Sequence, residues 1–180
     1  MSTQIEVPGY ITGTWAIDPS HSDVSFTVRH LGVSKVRGRF DGVEGEIVTA
    51  EDPRESSVSV TIEAASVNTN NEMRDEAVRG GDFLDAEKYP TLTFRSTGLR
   101  AADGDIELIG ELTVRDLTQE VVLRLEPNGF ADGWGGAKVA GFSATTEISR
   151  KEFGVTGGAM GGTLGDKITI TLEIEAVRKD

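Results

Sequence analysis

The sequence predicts an all-β domain, an antiparallel barrel of eight strands with one short helix in a connection. Apolar and polar residues alternate with a period of two in many short segments, which indicates strands with one apolar and one solvated face. Pairs of Asp or Asn with Gly separate several of these segments, and only one segment has the composition of a helix. At 180 residues the chain is long enough for one domain with its own core.

The first predicted strand follows a turn sequence at residues 18–20, where Pro fixes its own φ and Asp and Ser bond to nearby backbone. Residues 31–35 then form a tight connection to a second strand that ends near Phe40. The two strands make a long hairpin, and its apolar face must be buried against another part of the fold. That face carries every second residue of the first strand: Val24, Phe26, Val28 and His30.

Six further stretches alternate in the same way and predict the remaining strands: 58–64, 92–94, 106–114, 121–125, 142–148 and 168–176. Dipeptides that tolerate positive φ are predicted to form the hairpin turns: Asp41-Gly42, Asp103-Gly104, Asn128-Gly129 and Asp132-Gly133. The glycine-rich residues 157–162 are predicted to be a loop with no helix or strand.

One segment, residues 71–79, breaks the alternation and predicts a helix of two turns. Asn71 is placed to cap its start, and Gly80 and Gly81 are placed to end it. A single short helix cannot cover a sheet, so the sheet must bury its apolar face against itself as a barrel or a sandwich. Consecutive hairpins with short turns favour an up-and-down barrel, whose interior is filled by side chains or holds one small ligand.

The charge of the chain argues against several classes of partner. Lys and Arg number 18 against 30 Asp and Glu, a formal charge of -12, which predicts neither nucleic-acid binding nor electrostatic docking on anionic membranes. No Gly-rich run has the Lys-Ser or Lys-Thr ending of a phosphate loop. The chain has no cysteine, so it has no disulfide, no thiolate nucleophile and no zinc–thiolate site.

The expected location is the cytoplasm. Residues 1–10 carry no positive charge and no apolar run of signal-peptide length. No stretch approaches the ~20 apolar residues that a membrane-spanning helix needs.

Four stretches, in order along the chain, resemble the YceI-like family, also called polyisoprenoid-binding proteins. The first, residues 15–31, reads Trp-x-Ile-Asp-x-x-His-Ser-x-Val-x-Phe-x-Val-x-His-Leu, and Gly38 and Phe40 follow it. The other three lie at 74–90, 110–118 and 148–154. We therefore expect a YceI-like domain at residues 14–178, preceded by an N-terminal extension at 1–13. Some members of that family are exported, and the cytoplasmic expectation departs from them.

The resemblance implies a lipocalin-like barrel with an elongated apolar cavity for an isoprenoid chain, either polyprenyl or quinone-like. It also implies a non-enzymatic protein that binds, transports or sequesters the lipid, works as a homodimer and needs no cofactor besides that ligand. Two alternatives stay open: an enzyme on a lipid-like substrate, and a stress-response module with a filled barrel. The residue pattern alone does not distinguish a hollow barrel from a filled one.

The predicted cavity residues lie on the apolar faces of the strands or in connections at the entrance: Phe26, Val28, His30, Ile62, Met73, Phe83, Leu84, Phe94, Leu112, Leu123, Phe142, Ile148 and Met160. His30 is expected to be either a core histidine bonded to backbone or a ligand contact. For an enzyme, His30 with a carboxylate is the only candidate acid–base pair. Either way the ring needs a hydrogen-bond partner.

The remaining motif residues are predicted to be structural: Trp15, His21, Ser22, Arg74, Asp75 and Arg150. Arg74 with Asp75 is interpreted as an ion pair, a brace for the helix at the barrel mouth, or a contact for a polar headgroup. His21, Ser22 and Asp23 contain the residue types of a catalytic triad, but neighbours in a strand point to opposite faces. His21 and His30 are nine residues apart, about 30 Å along a strand, so no metal site is expected.

Overall fold

The computed structural model describes residues 5–179, and residues 1–4 of the predicted N-terminal extension lie outside that range. Within it, eleven strands and one helix follow one another, with short 3₁₀ turns between some of them. Their bounds are β1 Gly13–Ile17, β2 Asp23–His30, β3 Ser34–Phe40, β4 Val43–Thr49, β5 Ser57–Glu63, β6 Val67–Asn68, α1 Glu72–Arg79, β7 Thr91–Ala102, β8 Asp105–Val114, β9 Leu117–Asp132, β10 Lys138–Ser149 and β11 Leu164–Arg178. No helix among residues 5–179 is long and apolar enough to cross a membrane.

Eight strands close into a ring in the order β1, β4, β5, β7, β8, β9, β10 and β11, and β11 pairs back to β1. Every pairing is antiparallel, which confirms the predicted eight-stranded antiparallel barrel. The β2–β3 hairpin extends this ring at one end, because β2 pairs with residues 164–173 of β11 and β1 pairs with its residues 176–178.

The connections divide the barrel into two ends. The mouth end carries the turn at 31–33, the long excursion 64–90 that contains α1, the turn at 115–116 and the loop 150–163. The N-terminal end carries residues 5–12, the connection 50–56, and the turns at 103–104 and 133–137.

The predicted helix is confirmed within one residue. Asn71 caps α1, since its Oδ1 accepts a hydrogen bond from the Arg74 backbone N–H at 3.0 Å. The helix ends at Gly80, whose N–H donates to the Ala77 carbonyl at 3.1 Å. The excursion that holds the helix is pinned at its base, where the Ala64 N–H donates to the Pro90 carbonyl at 2.9 Å.

Two of the four predicted hairpin turns are wrong. Asn128-Gly129 lies inside β9, where Gly129 has φ 144° and the pairing of β9 with β10 shifts register. The residues form a bulge that bends a long strand. Asp41-Gly42 is a bend between β3 and β4, which do not pair with each other. The bend lets the chain leave the hairpin and join the ring.

Segment 157–162, predicted to be a plain loop, holds a run of 3₁₀ structure over Gly158–Thr163. Gly157 and Gly158 enter it with positive φ, and the Thr163 hydroxyl donates to the Met160 carbonyl at 2.7 Å. The glycines therefore permit a tight turn where composition suggested no regular structure.

Candidate functional site

The barrel encloses a cavity of about 780 Å³, within the size range of small-molecule sites. All thirteen residues predicted to form the cavity line it: Phe26, Val28, His30, Ile62, Met73, Phe83, Leu84, Phe94, Leu112, Leu123, Phe142, Ile148 and Met160. Whether they contact a ligand stays a prediction. Most of the remaining lining is aliphatic or aromatic, and its polar members are Ser25, Thr49, Ser56, Thr69, Asn71, Arg74, Thr146 and Arg150.

Strand registry explains why the wall is apolar. Val28 lies opposite Ile168, Phe26 lies opposite Ile170, and the next inward pair is Val24 and Leu172. Residues opposite one another in an antiparallel pair point to the same face, so the apolar parity of one strand meets that of the next. The same alternation, repeated round the ring, gives a continuous apolar surface.

Two glycines keep the interior open. The Phe26 ring lies over Gly38 on the neighbouring strand, where an added Cβ would come within 2.3 Å of the ring. The Phe94 ring lies over Gly110 in the same way, at 2.4 Å. Each ring therefore lies along the wall, in space that a side chain would otherwise fill. Sequence reasoning treated Gly38 as part of a motif and Gly110 as a strand position, and it missed this role.

The cavity opens at the mouth end. Among its lining residues, every exposed one lies on or just before α1 or in the loop 150–163: Asn71, Met73, Arg74, Ala77 and Met160. Lining residues that solvent also reaches mark the point where a cavity meets the surface. The opening is therefore between the helix, which carries Met73, and the loop, which carries Met160.

The N-terminal end is packed with aromatic rings. The Phe130 ring makes edge-to-face contacts with Tyr10, Trp15 and Phe142, with ring centroids 5.5–6.1 Å apart. The Tyr10 hydroxyl donates to the Ala50 carbonyl, which ties residues 5–12 to the barrel. Burial of the hydroxyl raises the pKa of Tyr10 above its ordinary value. This end of the cavity therefore has a floor.

Trp15 anchors that floor. Its side chain is completely buried, and its indole N–H donates to the Thr49 hydroxyl at 2.9 Å. Thr49 in turn donates to the Ile11 carbonyl at 2.7 Å.

His30 is not the core histidine bonded to backbone that was one of its two expected roles, and whether it contacts a ligand stays a prediction. Its ring is half-buried at the mouth and has no hydrogen-bond or ion-pair partner among residues 5–179. The expected backbone partner is absent because β2 ends there and the chain turns away through Leu31. No carboxylate pairs with the ring, so the acid–base pair that an enzyme would need is not assembled among the described residues.

Arg150 is a charged residue at the mouth whose hydrogen-bond donors are all bonded within the protein. It is buried, and its guanidinium donates five hydrogen bonds of 2.7–3.0 Å to backbone carbonyls, those of Val155, Thr156, Gly161, Leu164 and Gly165. A guanidinium has five N–H donors, and here none is left for a ligand headgroup. Arg150 therefore shapes the loop 150–163.

Arg74 and Asp75 do not pair with each other, and both bind Thr69. The Asp75 carboxylate accepts from the Thr69 hydroxyl at 2.5 Å and from the Thr69 N–H at 2.7 Å. These hydrogen bonds, the hydroxyl's first, lower the pKa of Asp75 below its ordinary value. Arg74 donates to the Thr69 hydroxyl at 2.9 Å and to its carbonyl at 2.7 Å. The interpretation as an ion pair is wrong, and the pair braces the start of α1.

His21 lies on the outside of the barrel. Its Nδ1 is 2.8 Å from the Asp18 carboxylate and 3.2 Å from that of Glu175. The hydrogen bond to Asp18 raises the pKa of His21 and lowers that of Asp18 to about 2. Ser22 does bind backbone, since its hydroxyl donates to the Glu175 carbonyl at 3.2 Å and accepts from its N–H at 3.1 Å.

The ligand atoms of Asp18, His21 and Glu175 all lie within 4.8 Å of one another, close enough for a divalent cation. Sequence spacing could not reveal this cluster, because Glu175 is distant in the chain from Asp18 and His21. The cluster satisfies itself by hydrogen bonds, and none of its three residues lines the cavity.

A family model described as the YceI-like domain matches residues 15–176. A UPF0312 protein of Vibrio cholerae is 37% identical over 165 residues, which cover 89% of this chain and 84% of that protein. A UPF0312 protein of Pseudomonas aeruginosa is 34% identical over 161 residues, with 88% and 83% covered.

Solved structures have the same fold. The Campylobacter jejuni YceI protein superposes with a TM-score of 0.75 and 34% identity, over 84% of this chain and 90% of that one. A polyisoprenoid binding domain from Saccharophagus degradans gives a TM-score of 0.73 at 12% identity, over 93% and 99%. Similarity this low in sequence shows the lipocalin-like fold and nothing more.

Proposed function

Since this chain belongs to the YceI-like family, we propose that it binds a long-chain isoprenoid lipid in its barrel cavity and carries or sequesters it without chemical change. The observation that carries the proposal is the cavity of about 780 Å³ with an almost wholly apolar wall, a floor at one end and a mouth at the other. A cup of this shape suits a chain that enters end first.

The affinity is expected to come from the chain of the ligand. Burial of each methylene contributes about 0.8 kcal/mol, so several isoprene units suffice for tight binding with few polar contacts. Arg150 donates its hydrogen bonds to backbone carbonyls, and Arg74 is hydrogen-bonded to Thr69, so neither is available to a headgroup. Among the polar side chains that line the cavity, His30 is the one with no partner among the described residues. We therefore propose modest selectivity for the headgroup, whether polyprenyl or quinone-like.

The enzymatic alternative has less support, because His30 has no carboxylate partner. His30→Gln separates the two functions. A carrier keeps its ligand affinity within a few-fold, whereas an enzyme that used this ring would lose turnover by about 10² or more. The filled-barrel alternative is disfavoured by the cavity itself.

Mass spectrometry of lipid extracted from gently purified protein tests the proposal. We expect a long isoprenoid in the wild-type extract, and none in Ala144→Trp protein purified in parallel. Ala144 lies on the cavity wall, where a tryptophan ring would block the interior. The absence of isoprenoid from several preparations, together with no uptake of added polyprenol or quinone, would exclude a carrier role.

We further propose that the protein acts in the cytoplasm, as a homodimer and without a cofactor. The dimer rests on the family resemblance. Sedimentation velocity at micromolar concentration tests it, and a species of only 19.2 kDa would contradict it. Fractionation of cells with antibody detection tests the location.

A further inference from the structure

We propose that the β2–β3 hairpin docks the barrel on an anionic membrane surface, with the hairpin tip inserted between lipids beside the cavity mouth. The inference rests on the proposed function for its purpose, the transfer of a lipid between bilayer and cavity. Docking itself is a separate event and can be measured without any cavity ligand.

The tip of the hairpin presents apolar side chains to solvent. Leu31 is 63% exposed and Val33 is 85% exposed. Leu31 also has φ 55°, a conformation in which Asn or Gly costs less than a bulky residue. The folded protein gains little from an exposed, strained leucine. A residue that breaks local rules without a structural gain indicates a function for its side chain.

The same tip is fixed beside the mouth. The Leu31 N–H donates to the Thr163 carbonyl at 2.8 Å, which ties the tip to the loop that carries Met160. Among residues 5–179, six large apolar side chains are exposed, and five of them lie at the mouth end: Leu31, Val33, Met73, Leu117 and Met160. If the protein contacts a bilayer through these side chains, the cavity mouth lies next to the lipid.

The hairpin is also positively charged. The segment 24–40 contains Arg29, Lys35, Arg37 and Arg39 and no Asp or Glu. Arg39 pairs with Asp41 at 2.8 Å, whereas the other three have no ion pair among the described residues. Arg29 lies directly opposite Lys35, and like charges in that position destabilise a sheet. Their arrangement is better explained by an external anionic partner.

Charge complementarity selects an anionic bilayer as that partner. Lys167 adds a fourth exposed positive charge, on the strand that pairs with β2. The helix α1 at the mouth carries three acidic residues, Glu72, Asp75 and Glu76, against Arg74 and Arg79, so the excess of positive charge lies on the hairpin and not on the helix. The net charge of -12 argues against docking by the molecule as a whole, but the charge of the hairpin is positive. An anionic surface therefore repels the rest of the molecule and attracts the hairpin, which orients the hairpin towards the lipid. Basic residues that flank an apolar tip add electrostatic attraction to insertion.

Sedimentation with vesicles of equal parts phosphatidylglycerol and phosphatidylcholine tests the charges. We expect the triple variant Arg29→Gln/Lys35→Gln/Arg37→Gln to bind about 10²-fold more weakly than the wild type. Raising the salt from ~0.1 M to ~1 M should weaken the wild type similarly, since the screening length falls from about 10 Å to about 3 Å.

Arg95→Gln/Arg100→Gln/Arg124→Gln is the matched control. It removes the same charge from exposed positions on the barrel wall and should sediment like the wild type. The hairpin variant is expected to fold with equal or higher stability, because it relieves the repulsion between Arg29 and Lys35.

A second variant tests the apolar tip. Leu31→Asn/Val33→Ser should weaken vesicle binding about tenfold, since two exposed apolar side chains no longer enter the bilayer. Asn tolerates the positive φ at position 31. Trp134→Ser is the control, because Trp134 is exposed at the opposite end of the barrel.

Both hairpin variants should keep ligand uptake from detergent micelles and lose transfer from vesicles. A wild type that fails to sediment with these vesicles overturns the proposal, as do hairpin variants that sediment normally. A wild-type dimer that the hairpin variants split also overturns it, because the tip would then be an interface between copies. If the wild type docks through the hairpin but takes up no isoprenoid from micelles, the proposed function fails and the docking stands.

Discussion

The two ends of the barrel are built from different kinds of contact. At the N-terminal end, buried Trp15 and the rings around Phe130 pack into a floor, and residues 5–12 are fastened over it. At the mouth end, apolar side chains such as Met73 are exposed. Two polar anchors hold that end, one around Arg150 and one around Thr69.

The difference separates stability from access. Close-packed apolar contacts make the floor rigid. The rim, by which we mean α1 and the loop 150–163 around the mouth, is held by a few hydrogen bonds and can open locally at a small cost in free energy. A binding cup needs both properties, and here they are placed at opposite ends of the same strands.

The largest expected effect comes from comparing the two tryptophans. Trp15→Ala should lower the free energy of unfolding by about 3–5 kcal/mol, because it opens a cavity in the floor and leaves Thr49 without a donor. Trp134 is 99% exposed, and Trp134→Ala should change stability by no more than about 0.5 kcal/mol. Urea unfolding measures both, and equal effects would show that the floor is not the stable region.

The rim is expected to depend on Arg150. Arg150→Met should cost about 2–4 kcal/mol, since five backbone carbonyls lose their donor. Arg150→Lys keeps the charge but supplies fewer donors, and it should recover only part of the loss. Hydrogen exchange should show faster opening of the loop 150–163 in both variants, while β1 stays protected. Exchange that rises equally at both ends would contradict independent anchoring.

Two substitutions on β10 should show how deeply a ligand chain enters the cavity. Ala144→Trp should block the middle of the barrel and reduce uptake of long chains at least about tenfold, because each excluded methylene costs about 0.8 kcal/mol. Phe142→Trp lies next to the floor, so it should affect only the longest chains. In a filled core each change would instead cost about 1–3 kcal/mol of stability. Binding assays over a series of chain lengths, alongside thermal melts, separate these outcomes.

The smallest expected effect is the loss of the contribution of Asp75 to stability at acid pH. The lowered pKa of Asp75 means that its carboxylate contributes stability above its unfolded-state pKa of about 3.9 and loses it as the pH falls through the folded-state value. Asp75→Asn should therefore be less stable than the wild type by about 1 kcal/mol at neutral pH. The gap should narrow below about pH 4. Asp116→Asn, in an exposed turn, is the control, and a gap that widens in acid would refute the assignment.

Local pattern predicted much of the fold correctly. Alternation identified the inward faces of the strands, and Asn71 and Gly80 identified the ends of α1. Turn residues were less reliable, because Asn128-Gly129 suits a bulge as well as a hairpin turn. The choice between the two depends on whether a neighbouring strand continues the pairing, and that information lies elsewhere in the chain.

The sequence by itself determined which side chains face the interior and that the interior is apolar, because a period of two is a property of neighbouring residues. Only the tertiary structure decided that the interior is hollow and that it opens at one end. Those features depend on contacts between residues far apart in the chain, such as Phe26 over Gly38 and Phe94 over Gly110. They depend also on the carbonyls gathered round Arg150, which occupy all of its donors, and on the absence of any partner for His30 among the described residues.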